Sequence, residues 1–152
     1  MSVAYIGLGS NLGDRAATIR AALDRLSAVP GIELLAVSSL KETDPVGFED
    51  QPRFLNGAAA LRTKLPPREL LDRMLEVERG LGRVREGARY GPRTIDLDLL
   101  LYDDAVVDEP GLRIPHPRLA ERMFVLEPLV ELDPQLEVPG RGRVQVLLAA
   151  LQ

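Results

Sequence analysis

From Ile95 to Leu101 the chain reads Ile-Asp-Leu-Asp-Leu-Leu-Leu, with an apolar side chain at every odd position. A period of two lines one face of a β-strand and no face of a helix. The segment therefore demands a sheet with one buried face, and it expects Ile95, Leu97, Leu99 and Leu101 on that face. Asp96 and Asp98 then share the opposite face, with Cα atoms roughly 6.6–7 Å apart. Two carboxylates that close repel unless cations lie between them. Oxygen ligands with no His or Cys beside them suit Mg²⁺, which takes one or two carboxylates plus substrate phosphates.

The remaining segments switch between strand and helix periods. Val3 to Leu8 is an apolar strand running into a glycine loop, Gly7 to Gly13. Asp14 is placed to cap a helix with an inward stripe of Ile19, Ala22, Leu23, Leu26 and Val29, ended by Pro30-Gly31. Ile32 to Thr43 is expected as a second strand and Phe54 to Leu65 as a third, joined by a loop rich in Pro, Gly and Asp. Pro66-Pro67 opens a second helix with its stripe at Leu70, Leu71, Met74 and Leu81. Beyond the Asp-x-Asp strand, Asp103-Asp104 turns into a short strand at Val106-Val107. Pro115-His116-Pro117 introduces another helix, and Arg143 to Leu151 forms the last. The order β-α-β-β-α-β predicts an α+β, ferredoxin-like sandwich with a mostly antiparallel sheet, elaborated by C-terminal helices and a short hairpin.

At 152 residues the chain suits one domain, 1–152, with a sizeable core. It has no cysteine, which removes disulfides, thiolate zinc sites and cysteine nucleophiles and fits a cytoplasmic setting. A net charge of −4 argues against a duplex nucleic-acid partner. No apolar run approaches the ~18 residues of a membrane span, and no secretory leader opens the chain. No segment reads as a dedicated interface, so a monomer is expected.

Several motifs fail on inspection. A dinucleotide fingerprint from Gly7 and Gly9 needs glycine at 12, where Leu12 stands, and a P-loop needs a lysine that does not occur before Lys41. These glycines then serve a tight turn, or let a neighbouring loop or ligand approach closely. His116 is the only histidine, and no Gly-x-Ser-x-Gly elbow supplies a nucleophile to partner it. The basic residues are more informative. Arg79, Arg83, Arg85, Arg89 and Arg93 fall within fifteen residues directly before the aspartates. Guanidinium groups pair with phosphate oxygens and keep their charge. With two presumptive metal ligands adjacent, the chemistry expected is phosphoryl transfer. On the aspartate pair alone, a nucleotidyltransferase or cyclase and a non-catalytic binding module remain open.

Arg83-Val84-Arg85 followed by Arg89-Tyr90-Gly91-Pro92-Arg93-Thr94-Ile95-Asp96-Leu97-Asp98 resembles the hallmark of the 6-hydroxymethyl-7,8-dihydropterin pyrophosphokinase family. Ala4 to Gly13, Asp50 to Asn56, and Pro115 to Val125 resemble three further segments of it, in the same order. The resemblance implies transfer of pyrophosphate from ATP to the pterin hydroxymethyl group, releasing AMP, in folate synthesis. It implies that Asp96 and Asp98 hold two Mg²⁺ ions, and that Arg83, Arg85 and Arg93 act on phosphate charge. Glu78, Tyr90, His116 and Arg122 would lie at the ATP. Thr43, Val46, Phe54, Asn56, Asp96 and Phe124 would lie at the pterin, the two Phe rings stacking on it. Loops 44–53 and 83–92 would be its lids. Tyr90 stands where tryptophan is common, Phe54 where tyrosine is, and Leu75 where a glutamine can meet the nucleotide.

Overall fold

The protein is described by a computed structural model covering residues 1–43, 53–82 and 95–152. Strand β1 (Ser2–Ser10) lies inside a five-stranded sheet, between β4 (Phe54–Thr63) and β5 (Asp96–Tyr102). The sheet order is β2-β4-β1-β5, where β2 is Ile32–Val37; β3 (Lys41–Thr43) also pairs with β4. Every one of these pairings is antiparallel.

The expected strand Ile32–Thr43 is two strands, not one. Ser38 stays attached to β4, its N–H donating to the Ala58 carbonyl and its Oγ accepting the Ala58 N–H, each at 2.9 Å. The chain then steps outward through Ser39 and Leu40 before pairing resumes at Lys41 opposite Asn56. Gly57 makes the room. A Cβ there would stand 2.6 Å from Leu40 Cδ2 and 3.3 Å from the Ser39 carbonyl oxygen. The glycine loop is also revised. β1 continues to Ser10, so Gly7 and Gly9 lie in a strand and only Gly13, at φ +66°, belongs to the turn.

Helices α1 (Arg15–Ser27) and α2 (Pro67–Gly80) cover one face. Asp14 caps α1 by accepting the Ala17 N–H at 3.1 Å. The helix ends at Ala28, ahead of Pro30-Gly31, and Val29 packs from beyond its end. Pro67 at the first turn of α2 loses no helical hydrogen bond. Its buried residues are Leu70, Met74, Val77 and Glu78; Leu71 is only half-buried, and Leu81 follows the last turn. Together with Ala4, Ile6, Leu8, Leu61, Leu97 and Leu99 these helices form the first core. Each large side chain so buried contributes about 1.5–3 kcal/mol.

A second, smaller core lies on the other face, where Ala58, Leu100 and Leu101 meet Leu119, Leu126, Leu129 and Val144. A 3-10 turn at Leu119–Glu121, α3 (Met123–Leu132) and α4 (Val144–Leu151) supply it. Here the alternation of the Asp-x-Asp strand breaks. Ile6 pairs with Leu99 but Tyr5 with Leu101, a bulge that leaves Leu100 as the extra residue. Leu101 therefore packs in the second core, not the first, and Tyr102 returns to the first. Short hairpins, Val107–Glu109 with Leu112–Ile114 and Glu137–Val138 with Gly142–Arg143, complete the described residues. No helix among them is long and apolar enough to cross a membrane.

Candidate active site

Beside the second core, the same face of the sheet carries several of the predicted residues, Phe54, Asn56, Asp96 and Asp98. Gly9 pairs with Asn56 on one side and Asp96 on the other; Gly7 pairs with Ala58 and Asp98. Cross-strand partners point to the same face. Asn56, Gly9 and Asp96 therefore form one row, with Asp98 one step along β5. A Cβ on Gly9 would stand 3.1 Å from Asn56 Nδ2 and 3.9 Å from both Asp96 Cβ and Phe54 Cδ1. The glycine lies, without a side chain and buried, between an amide, a carboxylate and an aromatic ring. Asn56 and Asp96 stand one strand apart on either side of it, about 10 Å between Cα atoms.

Thr43, opposite Phe54 in the β3–β4 ladder, donates its hydroxyl to Asn56 Oδ1. That bond fixes which way the Asn56 amide turns. Arg122 is the N-cap residue of α3, and its guanidinium lies over the Phe124 ring, 5.5 Å from the centroid. His116 is tied alongside β5 by its N–H on the Leu100 carbonyl at 3.0 Å, and its Nδ1 accepts the Arg118 N–H at 3.2 Å. Burial holds the His116 pKa below 6.5, helped by Arg122 and Arg118 and opposed by Asp96. The lowered value favours the neutral imidazole at pH 7.

Glu78 takes a different position from the others. Its side chain is buried, 1% exposed, and Oε2 accepts the N–H of Leu97 at 2.8 Å. Leu97 lies between the two aspartates on the edge strand, so Glu78 steadies that strand from the α2 side. Arg83, Arg85, Tyr90, Arg93 and Val46, with the proposed lids, lie outside the described residues. Gly7 and Gly9 are the site residues missing from the candidate set. Their signal was a spacing of two, which is strand spacing.

Among the described residues no three His, Cys, Asp or Glu form a closed metal site. Two carboxylates with the remaining sphere open suit Mg²⁺ completed by phosphate oxygens. Asp96 and Asp98, two carboxylates on one face of β5 opposite Gly9 and Gly7, supply the kind of donor set such an ion takes.

Comparisons with known proteins converge. The family described as 7,8-dihydro-6-hydroxymethylpterin-pyrophosphokinase matches residues 5–134. A 2-amino-4-hydroxy-6-hydroxymethyldihydropteridine pyrophosphokinase from Pseudomonas aeruginosa is 48% identical over 146 residues, 96% of this chain and 90% of that one. Its counterpart from Bacillus subtilis is 48% identical over 136 residues, 90% of this chain and 81% of that one. A crystal structure of an HPPK-DHPS in complex with substrates superposes with a TM-score of 0.77 at 12% identity, which is a likeness of fold. The match covers 98% of this chain and 43% of that longer one.

Proposed function

Because the chain belongs to the 7,8-dihydro-6-hydroxymethylpterin-pyrophosphokinase family, transferases of folate synthesis, we propose a specific reaction for it. It moves the terminal pyrophosphate of ATP to the hydroxymethyl oxygen of 6-hydroxymethyl-7,8-dihydropterin and releases AMP. The observation that carries this reading is the row Asn56–Gly9–Asp96 with Phe54 beside it. A flat, polar-edged bicycle can lie on a bare glycine floor, hydrogen-bond to an amide at one edge, and bring its substituent toward the carboxylates at the other.

The division of labour follows from position. Phe54 and Phe124 stack on the pterin, and Asn56, oriented by Thr43, reads its edge; Val46 adds a backbone contact. Asp96 and Asp98 would hold the two Mg²⁺ ions of this reading, whose charge would lower the repulsion met by the incoming hydroxyl. Arg83, Arg85 and Arg93 act on the charge that develops as the bond from the β-phosphorus to the AMP oxygen breaks. Tyr90, His116 and Arg122 form the nucleotide side, Arg122 braced on Phe124, while Glu78, expected there, instead supports the aspartate strand from the α2 side. Holding the alcohol oxygen in line with the β-phosphorus supplies most of what a weak nucleophile lacks.

The strand order β2-β4-β1-β5, all antiparallel, supports a ferredoxin-like core for a single domain over 1–152. The enzyme works as a cytoplasmic monomer on small molecules, without nucleic acid or membrane. The test is a product assay with ATP, Mg²⁺ and 6-hydroxymethyl-7,8-dihydropterin that resolves AMP, ADP and pyrophosphate. AMP formed one for one with pyrophosphorylated pterin is expected; pyrophosphate release would point to nucleotidyl transfer instead.

A further inference from the structure

The opposite end of α3 from Phe124 carries two glutamates one turn apart, Glu127 and Glu131, and both reach the segment joining β2 to β3. Glu131 accepts the Ser39 N–H on Oε2 and the Ser39 hydroxyl on Oε1, each at 2.5 Å. Lys41 Nζ meets Glu127 Oε2 at 3.3 Å. Four residues of helix rise about 6 Å, and two residues of strand about 6.6–7 Å. Helix and strand thus run alongside in opposite directions with matched steps, 131 to 127 against 39 to 41. Carried one step further, the same register points Met123, next to Phe124 in the first turn of α3, toward Thr43, which pairs with Phe54.

The two aromatic walls are thereby linked through these contacts, in addition to the direct packing of α3 on β4. Phe54, Asn56 and Thr43 stand on β3–β4, and Phe124 stands on α3. Leu126 and Leu129 pack in the same small core as Ala58, giving α3 a footing on the sheet, but apolar packing does not set registry along β3. The hydrogen bonds do. β3 is only three residues long; besides its ladder to β4 and the Thr43–Asn56 bond, it is held by Arg15, which bonds Glu42 and the Arg53 carbonyl, and by Arg53, which meets Glu42.

We propose that Ser39 and Glu131, supported by Lys41 and Glu127, are positioning residues that set the separation of the Phe54 and Phe124 walls. They thereby determine how tightly the site holds its flat heterocycle. This rests on the pterin reading of the site. The Asp96–Asp98 pair lies on the far side of β1 from this clamp, so the nucleotide side should respond less.

The test is steady-state kinetics on Ser39→Ala, Glu131→Ala and the double variant, with KM for pterin and for ATP measured separately alongside the thermal midpoint. Glu131→Ala is expected to raise the pterin KM about threefold to tenfold, with kcat and the ATP KM within about twofold. The double variant should match Glu131→Ala, because the hydroxyl has already lost its partner. Glu131→Gln, which keeps the side-chain volume and one acceptor oxygen, should show a smaller rise and secures the comparison if the alanine variant does not fold. A lowered midpoint with an unmoved pterin KM would overturn the clamp, as would equal rises for both substrates. An unaltered protein without pterin-dependent turnover would overturn the functional reading and the clamp with it.

Discussion

Gly9 shows how much of a site can rest on a missing side chain. Its backbone is that of an ordinary strand, so Gly9→Ala is expected to fold with stability within about 1 kcal/mol of the parent. The added methyl meets Asn56 Nδ2 at 3.1 Å and would take the place proposed for the ring. The pterin KM should rise roughly tenfold or more, with the ATP KM changing less; separate titration of the two substrates checks this. Asp96→Ala or Asp98→Ala should cut turnover by more than the ~10–100-fold seen when a residue supporting a metal ligand is lost. Near-normal rates at saturating Mg²⁺ would contradict the metal assignment. Glu78→Ala strips a buried N–H of its acceptor and is expected to cost roughly 1–3 kcal/mol in denaturant unfolding. Glu78→Gln should recover part of that, because its carbonyl oxygen can accept the same bond. The aspartate pair was legible because alternation alone puts both on one face. The burial of Glu78 was not. Glu69 and Glu76 on the same helix look equivalent until the partner amide of Leu97 is known.

At the scale of elements, α1 and α2 were legible from their caps and apolar spacing, since those signals are local. The break between β2 and β3 and the bulge at Leu100 were not. Each depends on what lies across the ladder, namely Gly57 making room for Leu40, and Ile6 and Tyr5 stepping past Leu100. The short β3 is also where pH acts. The Arg15 hydrogen bond and charge, with Arg53 adding to them, hold the Glu42 carboxyl below its ordinary 4.5. Ser39 does the same for Glu131. A carboxyl whose folded value is lowered stabilises the fold above the unfolded value, and loses that contribution as pH falls through the folded one. Stability should therefore decline below about pH 4.5 as these groups protonate. Glu42→Gln should flatten that decline in thermal melts at stepped pH. A decline of unchanged slope would show that the Arg15 tie contributes nothing.

For the whole molecule, one sheet divides two tasks between its faces. The first face is sealed by α1 and α2 around the larger core, and the second is sealed only in part. Beyond the second core, the same face holds the row from Thr43 and Phe54 through Asn56 and Gly9 to Asp96 and Asp98. An α+β chain with helices at its C-terminus was legible from the order of periods. How far those helices cover the second face was not, because coverage is set by long-range packing of Leu126, Leu129 and Val144 against Ala58 and Leu100. The central claim is that the bare floor at Gly9 is the pterin seat. A crystal structure with 6-hydroxymethyl-7,8-dihydropterin, Mg²⁺ and a non-hydrolysable ATP analogue tests it most directly. The account predicts the ring over Gly9, stacked between Phe54 and Phe124, with metal density at Asp96 and Asp98. A pterin bound elsewhere, or a floor at Gly9 filled by the nucleotide, would contradict it.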